Sequence, residues 1–221
     1  MKFAVIVFPG SNCDHDAYYA LNKILGVEVN FIWHKESSLE NYNAILLPGG
    51  FSYGDYLRTG AIAKYSPIMK EVIRCSKKGI PIIGICNGFQ ILIEAGMLPG
   101  ALIKNKNTKF ISKMVSLDIE TNNSLFTKNY KNGDSISMPI AHGEGNYQTD
   151  KDTLKQLKDN DCIAFKYSNS HNLNGSIANI AGILNKEKNV LGMMPHPERA
   201  CEKILGSDQG IGIFKSMIGS L

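Results

Sequence analysis

The five cysteines of this 221-residue chain, Cys13, Cys75, Cys86, Cys162 and Cys201, are widely spaced, odd in number and form no CxxC pair. That pattern excludes a disulfide framework and a zinc site of the usual spacing, so no metal is expected. No apolar run approaches the ~20 residues that cross a bilayer, so no membrane partner is expected either. No secretory leader is visible: the chain passes at once into the strand-like Phe3–Phe8, which is too short for a secretory core and has no cleavage site. The expected setting is cytoplasmic and reduced. There is no GxxxxGK[ST] segment, which removes P-loop nucleotide hydrolysis, and no GxGxxG after the first strand, which disfavours dinucleotide binding. The GxSxG of serine hydrolases is missing too. The net charge of +4 is spread over scattered lysines with no basic block, which argues against nucleic acid as a partner. Without repeats, low-complexity stretches or linkers, a single domain over residues 1–221 is expected.

What is present alternates. Phe3–Phe8 is a continuous apolar run of the kind found in a strand covered on both faces. Ala17, Leu21, Ile24 and Leu25 follow at helical spacing, closed by Gly26. Val27–Trp33 and Ala44–Leu47 read as strands, Ile68, Met69, Val72 and Ile73 as a helix stopping near Gly79, and Ile80–Ile85 as another strand. The expected fold class is α/β, an open, mostly parallel sheet flanked by helices. In the second half, Met114–Glu120, Ser135–Ile140, Cys162–Tyr167, Ile177–Leu184 and Val190–Met194 read as strands separated by Asn/Gly/Asp turns, an additional, antiparallel β region. Ser207 to Leu221 reads as a terminal helix with Ser207 or Asp208 as its cap. Loops at the carboxyl ends of parallel strands bind ligands, so Gly10–Asp14, Gly49–Gly54 and Cys86 should share one rim.

Three motifs on that pattern carry chemistry. In GICNGFQ, Gly84–Gln90, a glycine-flanked cysteine sits where a buried strand turns into a helix, the form of a nucleophile elbow. The helix N-terminus supplies positive dipole and free N–H groups, which favour thiolate. In MPHPE, Met194–Glu198, two prolines flank His196, and Glu198 lies two residues on. In extended chain both side chains point the same way, so the carboxylate can orient the imidazole. In PGGF, Pro48–Phe51, paired glycines at a strand end let backbone N–H groups approach a ligand. Gly50 N–H and Asn87 N–H are candidates for an oxyanion hole beside Cys86. A buried cysteine alone is usually an inert hydrophobe and a glycine pair usually a turn. The three motifs at strand ends of one α/β pattern point instead to a Cys86–His196–Glu198 triad.

These motifs resemble those of the class I, triad-type glutamine amidotransferases. Within them the chain is similar to the glutaminase component of phosphoribosylformylglycinamidine synthase, through FPGSNCD (Phe8–Asp14), PGGFSYGDYLR (Pro48–Arg58), IAHGEG (Ile140–Gly145) and NGS (Asn174–Ser176). The resemblance runs nearly the whole length and implies a flavodoxin-like class I glutaminase fold. It implies that Cys86 attacks the side-chain amide of L-glutamine, that His196 serves as base and then acid, and that Glu198 orients it. Gly50 and Asn87 would stabilise the oxyanions. Gln90 would help hold the substrate, or else lie on the helix surface; His142 would shape the glutamine pocket, or else be a loop histidine satisfied by its neighbours. Asp14, Tyr53 and Arg58 belong to family-like segments, with partner contact, pocket shaping or a plain surface position all open. His15, His34 and His171 are assigned no role. No cofactor is expected in this chain: ATP and Mg2+ would sit on a large synthetase subunit, with a small third subunit completing the complex. The rival readings are a glutaminase serving another acceptor, a cysteine peptidase or chaperone-like relative, and a non-catalytic binding module. FSYGDYLR and IAHGEG speak against the first. Asn87, rather than histidine, directly after the cysteine speaks against the second, and the intact triad set against the third.

Overall fold

The structure, a computed structural model, describes residues 1–220. The chain folds as β1 (Lys2–Val7), α1 (Asp14–Tyr18), β2 (Glu28–Trp33), β3 (Ala44–Leu47), α2 (Pro67–Lys77), β4 (Ile82–Ile85), α3 (Asn87–Glu94), β5 (Ala101–Ile103), β6 (Ile111–Ile119), β7 (Ser135–His142), β8 (Asn146–Gln148), α4 (Lys151–Asp159), β9 (Ile163–Tyr167), β10 (Ile180–Leu184), β11 (Val190–Met193) and α5 (Ile211–Ile218). Nine strands form one sheet in the order β2-β1-β3-β4-β11-β10-β9-β6-β7, and β5 pairs with β8 alone. The first five are parallel; the last four continue antiparallel. The mostly parallel α/β class and the added antiparallel region are both as the sequence pattern implies.

Burial explains why the two halves read differently. All residues of β3, β4 and β11 are buried, because helices cover both faces of a parallel sheet. β7 alternates between buried and partly exposed positions, as a strand with one wetter face does. Helix α2 starts with Pro67 in its first turn, where a missing N–H costs nothing, and buries Ile68, Met69, Val72 and Cys75 along one stripe.

Connectivity places the site. β1, β3, β4 and β11 run the same way, so the loops after them leave from one rim. Three reversals beyond β10 bring β7 back to that same direction, and its end delivers Ala141–Glu144 there too.

Several local details depart from the sequence reading. The first helix ends at Tyr18 and continues as a π-helical turn over Tyr19–Ile24. The strand expected from Ile177 begins at Ile180, because Ala178 and Asn179 take positive φ. Ser207 does not cap the last helix. Its Oγ donates to Ser137 O at 2.7 Å, and α5 begins after Gly210. Helix α4 and the β5–β8 pair were not anticipated. Only Leu157 of α4 is buried, so it has almost no apolar stripe, and Asp150 caps it by accepting from Thr153 N at 2.8 Å.

Candidate active site

Cys86 occupies the strained turn between β4 and α3, with φ 51° and ψ −106°. The backbone is held there by Cys86 N–H donating to Met193 O at 2.7 Å. The turn needs its glycines: a Cβ on Gly88 would collide with the carbonyl of Leu47, so only glycine lets α3 press against β3. Asn87 is the first helical residue, and its N–H has no intrahelical acceptor. The Cys86 thiol lies 3.6 Å from Ala141 O.

His196 follows β11 and enters a short 3-10 turn with Glu198. Its Nδ1 stands 2.6 Å from Glu198 Oε1, and both side chains are almost fully buried. A carboxylate only accepts, so Nδ1 carries a proton, and in its neutral form His196 presents the lone pair on Nε2. That Nε2 is buried without a protein partner. Burial is the largest influence on His196 and pushes its pKa down. The Glu198 charge and the Cys86 sulfur push it up, and it ends well above the ordinary histidine value. Gly49 makes room for this corner. A Cβ there would lie 2.8 Å from His196 Cε1, 3.3 Å from Cys13 Sγ and 3.4 Å from Cys86 Cβ.

The PGGF loop is tied to two neighbours. Phe51 N donates to Gly10 O at 2.9 Å and Tyr53 N to Pro9 O at 2.6 Å. Ser52 N donates to Asn87 Oδ1 at 3.1 Å, which links the loop to the elbow. Gly50, at φ 130°, lines a cavity of about 200 Å³ together with Cys86, Gln90, His142 and Glu144. A larger hollow of about 610 Å³, lined by Met97, Leu157 and Cys162 among others, contains none of these groups.

Gln90 lies in the cavity wall, but both ends of its amide have protein partners. Oε1 accepts from Asn87 Nδ2 at 2.9 Å, and Nε2 donates to Glu144 O at 2.7 Å. His142 is held through Asn105, whose Oδ1 lies 3.1 Å from His142 Nδ1 and whose Nδ2 donates to His142 O at 2.9 Å. His142 Nε2 is buried and unpartnered. Burial, with a smaller effect of His196, lowers its pKa to about 4.

Of the residues left open, Tyr53 is inward: its hydroxyl lies 2.8 Å from His34 Nδ1 and 3.0 Å from Ser66 Oγ. His34, assigned no role, thus helps hold the PGGF loop. Arg58 is exposed and grips Glu94 with two bonds of 2.6 and 2.7 Å. Asp14 accepts from His15 N at 2.8 Å. Cys13 was missed: its Sγ lies with polar atoms of His196 and Glu198 in a group no more than 4.8 Å across. Its signal was the placement of Gly10–Asp14 on the catalytic rim. Asp55 and Glu144 were also missed as site residues, although they belong to FSYGDYLR and IAHGEG and both line the cavity.

Known proteins match this arrangement. A family model described as a CobB/CobQ-like glutamine amidotransferase domain matches residues 1–210. A chain of PurLQS from Thermotoga maritima is 44% identical, with a TM-score of 0.91, over 99% of this chain and 98% of that one. A glutamine amidotransferase from Thermotoga maritima shares the fold at 17% identity and TM-score 0.63, over 100% of this chain and 97% of that one. So does the glutaminase domain of Trypanosoma brucei CTPS, at 13% and 0.62, over 99% and 94%. A cysteine elbow closed by a buried His–Glu pair, on a chain matched almost end to end, therefore belongs to the glutamine amidotransferase family.

Proposed function

We propose that this chain is the glutaminase subunit of phosphoribosylformylglycinamidine synthase, and that Cys86, His196 and Glu198 perform the hydrolysis. Cys86 Sγ attacks the side-chain amide carbon of L-glutamine while its proton passes to His196 Nε2. Glu198, 2.6 Å from Nδ1, stabilises the imidazolium that forms. The Gly50 and Asn87 N–H groups receive the negative oxygen, an interaction worth about 10²–10³ in rate per donor. Collapse of this intermediate breaks the C–N bond; His196 returns the proton to nitrogen, ammonia leaves and a glutamyl thioester remains. Water, deprotonated by His196, then adds to the thioester carbon, and glutamate and the Cys86 thiol are regenerated. Gln90 acts here by holding the His142–Gly145 loop to α3, since its amide is already committed to Asn87 and Glu144.

The observation that carries this reading is the buried His196–Glu198 pair facing Cys86 at a strand-to-helix turn on the rim of the glutaminase-like sheet. The acceptor is argued from FSYGDYLR, IAHGEG and the near full-length similarity to PurLQS. Ammonia passes to a separate large synthetase subunit, which holds ATP and Mg2+ and converts formylglycinamide ribonucleotide to the amidine; a small third subunit completes the complex. The setting is cytoplasmic, in keeping with five unpaired cysteines, and no helix among the described residues is long and apolar enough to cross a membrane.

The test reconstitutes the chain with a candidate synthetase, ATP, magnesium and formylglycinamide ribonucleotide. Glutamine-dependent amidine formation is expected, lost in Cys86→Ala and restored by added ammonia. A Cys86→Ala complex that still uses glutamine would overturn the chemistry. A purified chain that hydrolyses glutamine at full rate and gains nothing from the synthetase would overturn the coupling.

A further inference from the structure

A buried thiol that has no chemical role usually rests on a nearby carbonyl. Cys162 Sγ lies 3.5 Å from Asn160 O, and Cys201 Sγ 3.2 Å from Pro197 O. Cys13 is buried as well, but among the described residues its sulfur has no such carbonyl. Its backbone is clamped: the N–H donates to Gly49 O at 3.2 Å and the carbonyl accepts from Ala17 N at 3.0 Å. Held between the PGGF loop and α1, the sulfur faces the catalytic corner instead. One ligand atom each from Cys13, His196 and Glu198 lie within 4.8 Å of one another.

Cys86 borders the same space. The methyl that Gly49 lacks would meet Cys13 Sγ, His196 Cε1 and Cys86 Cβ together, so three potential metal ligands surround one small gap. The sulfurs of Cys13 and Cys86 both lie close enough to the imidazole to raise its pKa. His196 Nε2 is buried with no hydrogen-bond partner, while Nδ1 is engaged by Glu198 Oε1 at 2.6 Å. A carboxylate holding the far nitrogen is the usual support of a histidine that ligates zinc. Two thiols and an imidazole form a soft to borderline donor set, which suits Zn2+ and does not suit Mg2+ or Ca2+.

We propose that Cys13, Cys86 and His196 form an inhibitory zinc site, with the cation on both sulfurs and Nε2 and with Glu198 still holding Nδ1. Tetrahedral donors around zinc stand roughly 3.6 Å apart, a spacing that a group already within 4.8 Å reaches by side-chain rotation. Both sulfurs bind as thiolates, and any proton they carry is released on binding. Three protein ligands leave the fourth position to water. The cation occupies the nucleophilic sulfur and the lone pair of the base at once, so an occupied site stops hydrolysis reversibly. Cys13 is what turns a nucleophile and its base into a three-ligand site. No CxxC spacing announces it, because the ligands come from the loops after β1, β4 and β11.

The experiment titrates the metal-free full chain with Zn2+ and with Co2+, without oxygen, as wild type, Cys13→Ala, Cys86→Ala and the control Cys162→Ala. Wild type and the control should bind one zinc per chain. Cys13→Ala should bind it at least about 100-fold more weakly, since even the outer partners of a zinc ligand are worth about 10–100-fold. At saturating Co2+ the near-ultraviolet sulfur-to-cobalt band should fall by roughly half in Cys13→Ala and likewise in Cys86→Ala, one of two sulfurs being lost each time. Iodoacetamide should alkylate Cys86 in metal-free wild type and in metal-free Cys13→Ala, which shows that the variant is folded. Zinc at a level that saturates wild type alone should block that reaction in wild type alone. In the synthetase-bound chain the same zinc should stop glutamine hydrolysis, and a zinc-selective chelator should restore it. Cys13→Ala, measured against its own zinc-free rate, should keep its activity at that level. Equal zinc affinity in wild type and Cys13→Ala, or a cobalt complex without a sulfur band, overturns the proposal. Only the inhibition rests on the glutaminase reading: zinc binding as expected, in a chain with no Cys86-dependent glutamine hydrolysis, upholds the site and overturns that reading.

Discussion

Two buried histidines stand on the same rim and behave in opposite ways. His196 is 1% exposed and His142 3%, so loss of water pushes both toward neutral imidazole. His142 ends there, at about 4; its Nδ1 meets the neutral amide oxygen of Asn105 at 3.1 Å. His196 ends well above its ordinary value, because the Glu198 charge, with the Cys86 sulfur, outweighs the same burial. Burial does not separate the two; the atom opposite Nδ1 does. A proton on His196 also disfavours one on His142, so the pocket carries its positive charge beside Cys86. In the proposed mechanism that is the histidine that holds the proton of the sulfur and returns it to nitrogen.

The largest effect should come from erasing the difference. Glu198→Gln gives His196 an amide partner like that of His142, and the amide can turn its NH2 toward the ring and select the wrong tautomer. Glutamine hydrolysis should fall by about 10⁴-fold, and the His196 pKa, followed by NMR titration, should drop below 6.5. A variant whose His196 pKa stays high would show that Glu198 is not what separates the two histidines. Next in size is Gly49→Ala. Its new methyl lies 2.8 Å from His196 Cε1, so the imidazole must move. A displacement of that kind costs about 100-fold in kcat, while the His142 titration should not change. If His142 shifts as well, the two corners are mechanically joined and the contrast between them is not local.

The sequence displayed the catalytic corner unusually well because its parts are local. Cys86 and its glycines span one turn, and His196 and Glu198 are two residues apart with prolines on either side. The strands carrying them are short, continuous apolar runs, since helices cover both faces of that half of the sheet. The other corner is assembled from distance. His142 meets Asn105 across 37 residues, and even in the catalytic corner Cys13 reaches His196 only because β1 and β11 end on the same rim. No spacing rule encodes such meetings. Asp55 and Glu144 stand inside FSYGDYLR and IAHGEG, but their shared cavity depends on four strand reversals that return β7 to the direction of β3. Helix α4 escaped for a simpler reason: Leu154 and Leu157 are its only apolar residues, too short a stripe to read.

The smallest effect on rate, and the sharpest on pH, should follow from making His142 resemble His196. The folded-state pKa of His142, about 4, lies below the 6.5 of an unfolded histidine. Above pH 6.5 both states are neutral at this residue and it contributes nothing to the pH dependence. As pH falls from 6.5 toward 4, the unfolded chain binds a proton that the folded chain refuses, so stability is lost, reaching on the order of 3 kcal/mol below pH 4. His196, raised in the folded state, has the opposite sign: its contribution is fully present below about pH 6.5 and is lost as pH rises through its folded value. Acid lability in this window should therefore come from His142 rather than His196. Asn105→Asp places a carboxylate opposite His142 Nδ1. The Asn105 amide also donates to Lys109 O and His142 O, so the variant should be less stable at every pH. The readout is accordingly the difference between pH 7 and pH 5 in urea unfolding. Wild type should lose about 2 kcal/mol from His142 over that interval and the variant less than about 1, with kcat changed by less than about 10-fold at pH 7.5. Equal losses in the two proteins would mean that Asn105 does not hold His142 neutral, and that another group makes the fold acid-sensitive.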